Sequence, residues 1–261
     1  MNNTESWNVM LRSKDVDVRL DTLQRAGTLK GIFPEVEAMV GFGGGNQGHK
    51  DLWAHTKQVV KQAKPVTEVR WAALFHDVGK VESFSKESGK VTFHQHEYVS
   101  ARLFKKAMAR TGILKGDFRD KVYALIRGLA LVEGYSSEWT DSAVRRTYKE
   151  LGEYFHDTLL LARADVTSKH AYKREKVQLL VHELEERAVK LAEADAVVPP
   201  LPKGIGKAIM AEFGVPPSKQ LGDIKQALET RIKVGALEGH KGSAYYIDHL
   251  NNHRVIFGLP V

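Results

Sequence analysis

Apolar residues recur at helical spacing in one stretch after another, and this pattern constrains the chain more than any other feature. Leu52, His55, Val59 and Ala63 form one stripe over residues 51–63, and Val69, Ala72, Ala73 and His76 form another over 69–77. The same period predicts helices over 98–110, 118–131, 140–152, 154–168 and 173–194. Only the polar stretch 86–89 and the following Lys90-Val91-Thr92-Phe93 read otherwise, as a turn with one short strand at most. The expected fold class is all-α, a helical bundle.

Proline marks one boundary. Five of the eight prolines (Pro199, Pro200, Pro202, Pro216, Pro217) follow a long polar helix, and proline cannot continue a helix. The expectation is a helical body over 1–195, including an N-terminal helical lead-in, and a small C-terminal helical module over 199–261 with two more helices. Gly41 to Gly45, with Gly48, reads as a loop just before the helix that carries His55.

Composition removes several classes. The 261 residues include no cysteine, which excludes a disulfide scaffold, a thiolate metal site and a cysteine nucleophile. With 43% hydrophobic and 27% charged residues, the chain matches a globular domain rather than a disordered or fibrous one. No apolar run is long enough for a bilayer, and Met1-Asn2-Asn3-Thr4-Glu5 lacks the features of a signal peptide, so a cytoplasmic protein with no membrane partner is expected. The 39 Lys+Arg outnumber the 32 Asp+Glu, and a net charge of +7 favours anionic partners. The basic residues are spread in mixed runs, such as 102–110 and 169–176, which solvated helix faces explain at least as well as a nucleic-acid groove.

The chemistry concentrates between positions 49 and 96, which hold His49, His55, His76, His94 and His96 of the 11 histidines. His76-Asp77 closes the apolar run Trp71-Ala72-Ala73-Leu74-Phe75, and buried ionisable groups need partners. A divalent metal satisfies both, and nitrogen with carboxylate oxygen suits Mn, Fe, Co, Ni or Zn, and less readily Mg. His55 lies on the inward stripe of its own helix. Asp165 ends a third apolar run, Leu159-Leu160-Leu161-Ala162-Arg163-Ala164, and supplies a second carboxylate. A single histidine on an apolar face is most often a core residue; four such residues at the ends of apolar stripes are harder to dismiss.

His55, then His76-Asp77, then Asp165 resembles the H…HD…D signature of the HD-domain metal-dependent phosphohydrolases. Leu74-Phe75-His76-Asp77-Val78-Gly79-Lys80 and Thr92-Phe93-His94-Gln95-His96-Glu97 are similar to segments of the branch fused to CCA-adding tRNA nucleotidyltransferases. The stretches 29–35, 49–55, 139–146 and 164–167 are similar to that branch, as is 199–235 to the helical module that follows its HD domain. Two departures matter. A Gly-Ser with a paired-carboxylate strand motif is absent from the 261 residues, so CCA addition is not expected of them. Many relatives carry a histidine where this chain reads Leu125-Ile126-Arg127-Gly128-Leu129-Ala130-Leu131, so one metal ion per chain is expected.

The resemblance implies hydrolysis of a phosphate ester with His55, His76, Asp77 and Asp165 on the metal. Asp77 also takes the proton of the attacking water. Lys80 neutralises phosphate charge, or is a surface lysine. His96 protonates the leaving group or contacts phosphate. His94, Arg145 and His49 are substrate-binding candidates, with a helix-surface salt bridge as the other reading of Arg145 and plain exposure as that of His49. The implied substrates are nucleotides or RNA ends, including 2′,3′-cyclic phosphates. The alternatives are a small-nucleotide mono- or triphosphate phosphatase and, from another class, a tRNA- or RNA-binding module with a vestigial HD site. Competing motifs fail. His96-Glu97 lacks the second histidine of a zinc-protease helix, and Gly79-Lys80 lacks both the upstream glycine and the Ser/Thr of a phosphate-binding loop.

Overall fold

The computed structural model describes residues 3–43, 51–87, 90–196 and 199–260. Four helices lead in: α1 (Thr4–Arg12), α2 (Val16–Arg25), α3 (Thr28–Ile32) and α4 (Pro34–Glu37). The body continues with α5 (Leu52–Gln62), α6 (Thr67–Phe75), α7 (Gly79–Ser83), α8 (His96–Thr111), α9 (Gly116–Glu133), α10 (Asp141–Leu151), α11 (Phe155–Ala164) and α12 (Ala171–Ala196). The fold is all-α, and among the described residues the only strands are the antiparallel pair β1 (Phe84–Glu87) and β2 (Lys90–Phe93). The chain divides into two compact units, Met1–Ala192 and Glu193–Val261. No described helix is long and apolar enough to cross a membrane.

The centre of the first unit is α6. Every residue from Val69 to Phe75 is buried, and the helix packs on α1, α5, α9 and α11. Trp7, Phe33, Trp71, Phe75 and Phe104 form one aromatic chain, with ring centroids 4.9 Å apart for Trp7–Phe33, 5.2 Å for Phe33–Phe75 and 5.3 Å for Phe75–Phe104. Each such ring contributes roughly 2–3 kcal/mol by burial. Arg70, 5% exposed, lies among these apolar residues and donates to the carbonyls of Ala63 at 3.0 Å, Ser13 at 2.8 Å and Leu11. It thereby joins the C-terminal ends of α1 and α5, where helix carbonyls lack partners and a cation is favoured.

Helix ends follow local chemistry. Asp51 caps α5, its carboxylate accepting from the Ala54 amide at 2.9 Å, and Thr140 caps α10 in the same way. Three expectations need correction. The helix expected over 154–168 stops at Ala164, where Asp165 turns inward as its C-cap. The expected lone strand has a partner. Phe84 pairs with Phe93, their rings 6.0 Å apart, a cross-strand contact hidden in the polar run Ser85-Lys86-Glu87. Among the described residues of 199–261 there are three α-helices where two were expected: α13 (Ile205–Phe213), α14 (Lys219–Lys233) and α15 (Ser243–Asn252). Only Tyr246 and Leu250 are buried in α15, too few for a clear apolar stripe.

Candidate metal centre

Three helices aim four side chains at one point. His55 comes from α5, His76 and Asp77 follow directly on α6, and Asp165 closes α11. The Nε2 atoms of His55 and His76 face each other at 3.3 Å. Asp165 Oδ1 lies 2.9 Å from the first and 3.2 Å from the second, and Asp77 Oδ2 lies 3.3 Å and 3.4 Å from them. Relative exposure is 9% for His55, 2% for His76 and 1% for Asp77.

The outer nitrogen of each ring is occupied. His76 Nδ1 meets the Ala73 carbonyl at 2.7 Å, and His55 Nδ1 meets Thr167 Oγ1 at 2.8 Å. A carbonyl only accepts, so in neutral His76 the proton sits on Nδ1 and the Nε2 lone pair points into the cluster. The geometry fits a metal ion. Two imidazole nitrogens and two carboxylates converge, and the buried Oδ1 atoms of Asp77 and Asp165 have no well-aligned hydrogen-bond donor. Within this set the ligand atoms of His55, His76 and Asp165 all lie within 4.8 Å of one another.

The imidazoles and carboxylates stabilise each other's charged forms. Burial would raise both carboxyls, but the facing imidazoles outweigh it and hold Asp77 and Asp165 below the usual carboxylate range. Burial would likewise lower His55 and His76; the two aspartates overcome it and raise both.

Two further groups flank Asp77. Lys80 Nζ lies 2.8 Å from Oδ2, and His96 Nε2 lies 3.5 Å from Oδ1. Burial disfavours the Lys80 charge, yet Asp77 keeps that lysine protonated and raised. Gly79 permits this approach: its amide donates to Ser100 Oγ at 2.8 Å, and a Cβ there would strike the His96 carbonyl and the Ser100 amide. His94 is exposed in the turn before α8 and, with Lys80, Phe93, Gln95, His96 and Glu97, lines an open concavity of about 710 Å³. Arg145 is exposed on α10, a helix that contributes none of the four converging side chains. His49 lies outside the described residues.

Two residues escaped the sequence reading. Thr167 holds His55, as above. Glu133, at the end of α9, is exposed as a residue but turns its carboxyl onto Asp165. Loss of water around that carboxyl, then the Asp165 hydrogen bond and charge, push it up to about 9. The signal was available, since Leu129-Ala130-Leu131-Val132 leads into Glu133 as the α11 apolar run leads into Asp165.

A helical body with paired histidines and aspartates at its centre defines a class, and the chain belongs to the HD domain family, whose model matches residues 52–198. HD domains bind divalent metals, and membership supports a metal-dependent phosphohydrolase in general terms. The chain is similar to the A-adding tRNA nucleotidyltransferase of Deinococcus radiodurans, 28% identical over 241 residues, covering 88% of this chain and 54% of that protein. It is similar to the CC-adding tRNA nucleotidyltransferase of Thermus thermophilus, 28% identical over 237 residues and covering 87% and 52%. A multifunctional CCA protein of Vibrio campbellii is 31% identical over 121 residues, covering 44% and 29%. The chain spans about half the length of the first two relatives.

Proposed function

We propose that the chain is a metal-dependent phosphohydrolase or phosphodiesterase acting on nucleotides or RNA ends, such as 2′,3′-cyclic phosphates. The carrying observation is the buried meeting of two imidazole Nε2 atoms, 3.3 Å apart, with two carboxylates. His55, His76, Asp77 and Asp165 would hold a divalent cation, which would supply Lewis acidity to a phosphoryl oxygen and to water. Asp77 takes the proton of the attacking water as the new P–O bond forms. Lys80 offsets the charge that develops on the phosphoryl oxygens. As the bond to the leaving oxygen breaks, His96 returns a proton to it, and His94 contacts the phosphate from the rim. The tRNA nucleotidyltransferase relatives support an RNA or nucleotide partner, and the net charge of +7 helps to recruit it.

The test is a screen of Mn- or Ni-loaded protein against 2′,3′-cyclic nucleotides, nucleoside mono- and triphosphates and phosphorylated RNA ends. Asp77→Ala is expected to lose both metal and turnover. Lys80→Ala is expected to keep the metal and lose about 10²-fold in kcat/KM. No metal uptake by the wild type, or no hydrolysis of any phosphoester, sinks the reading.

A further inference from the structure

Strand β2 ends beside the metal centre, and its last residue touches both groups that flank Asp77. The Phe93 carbonyl lies 3.1 Å from His96 Nδ1, and Lys80 Nζ stands over the Phe93 ring, 5.9 Å from its centroid. All three residues line the same open concavity. An ammonium within about 6 Å of a ring is drawn to the negative charge of its face. The Asp77 carboxylate at 2.8 Å anchors one side of that ammonium, and the ring covers another. A carbonyl only accepts, and so does the ionised carboxylate of Glu97, 3.4 Å from the same His96 Nδ1. Neutral His96 therefore carries its proton on Nδ1 and turns the Nε2 lone pair inward, with that atom 3.5 Å from Asp77 Oδ1.

Local structure explains how one residue reaches both groups. Phe93 stands in register with Phe84, their rings 6.0 Å apart, and Phe84 meets Phe42 edge-on at 5.6 Å. Phe84 is 38% exposed and Phe93 is half-buried, and neither belongs to the core that holds Trp7 and Phe75. Gln95, with φ at 53°, then turns the chain through the left-handed region. That turn brings the Phe93 carbonyl back onto the ring of His96, three residues on.

We propose that Phe93 is the positioning residue for His96 and Lys80: its carbonyl sets the His96 tautomer, and its ring holds the Lys80 ammonium where the phosphoryl group is received. The proposal rests on the phosphohydrolase reading for the roles of those two side chains. It makes the hairpin part of the site rather than an excursion from the helical body.

The full chain is compared with Phe93→Tyr, Phe93→Leu, Lys80→Ala and the double variant of Phe93→Leu with Lys80→Ala. Calorimetric titration of the Mn-loaded proteins with inorganic phosphate reads Lys80 without turnover. Phe93→Leu keeps an apolar side chain in the strand and removes the ring. It is expected to weaken phosphate binding several-fold with Mn affinity retained, whereas Phe93→Tyr is expected to bind as the wild type does. The double variant is expected to bind no more weakly than Lys80→Ala, because the ring acts through the lysine. Heteronuclear NMR of the imidazole nitrogens at alkaline pH, assigned with His96→Gln, is expected to show the His96 proton on Nδ1. A proton on Nε2 would overturn the proposal. So would equal phosphate affinity in Phe93→Leu and the wild type, additive losses in the double variant, or no phosphate binding by the wild type. The expected phosphate and NMR results in a protein that hydrolyses no phosphoester would sink the phosphohydrolase reading and keep the role of Phe93. Hydrolysis with unaltered kcat/KM in Phe93→Leu would do the reverse.

Discussion

Thr167 holds the outer nitrogen of His55 at 2.8 Å and fixes which face of the ring looks into the cluster. Partners of this kind orient a metal ligand and typically account for about 10–100-fold in metal affinity. Thr167→Val keeps the shape of the side chain and removes the hydroxyl. The expected outcome is a fall in Mn affinity of that size with the fold intact, read by competition with a chelator. Unchanged affinity would show that the Thr167 hydroxyl does not orient His55 toward the metal. His76 needs no such side-chain partner, because the Ala73 carbonyl of its own helix does the same work. One histidine is thus positioned by a residue far away in sequence and the other by backbone three residues earlier.

The contact of α7 with α8 depends on Gly79. A methyl group there meets the backbone of His96 and Ser100, which cannot swing aside as a long side chain can. Gly79→Ala is expected to cost about 1–3 kcal/mol by overpacking and to separate Lys80 from His96. Urea unfolding reads the first effect and kcat/KM the second. In the C-terminal unit, α15 carries His249, whose ring stacks on His253 at 4.4 Å and whose buried Nε2 has no partner. Burial, then the charges of His253 and of Arg231 on α14, lower its pKa below 6.5, with Asp248 opposing. The unfolded chain therefore binds the proton more readily than the folded one. Stability from this group is fully present above about pH 6.5 and is lost as the pH falls through the folded value. Amide protection of Tyr246 and Leu250, corrected for intrinsic exchange, is expected to fall with pH over that window and to lose the dependence in His249→Gln. A slope unaltered by that substitution would assign it to another group.

Each unit has its own hydrophobic core: Trp7 through Ala188 supply one, and Leu201 through Leu259 supply the other, with no residue in common. The converging side chains of His55, His76, Asp77 and Asp165 all belong to the first. A ligand stabilises only the unit that binds it, by an amount set by its concentration relative to Kd. Calorimetry with Mn is expected to raise one thermal transition and leave a second in place. Leu228, fully buried in α14, is the complementary probe. Leu228→Ala should lower the Mn-insensitive transition by about 2–5 kcal/mol of stability. A single transition that responds to both changes would show the units to unfold together.

Helical periodicity in the sequence shows which residues face inward, and that information is local. It placed the body helices, and it marked His55, His76, Asp77 and Asp165 because each interrupts or ends an apolar stripe with an ionisable group. Periodicity does not show which inward-facing groups from different helices meet. Glu133 reaches Asp165 only because α9 packs against α11, and Thr167 reaches His55 across 112 positions of chain. The same limit hid β1, whose pairing is a matter of backbone register. It also hid Arg70, whose carbonyl partners belong to the ends of two other helices. Side-chain chemistry and spacing belong to the sequence, whereas the distances that bring two histidines and two aspartates to one point arise from helix packing, where long-range apolar contacts overcome the cost of burying charge.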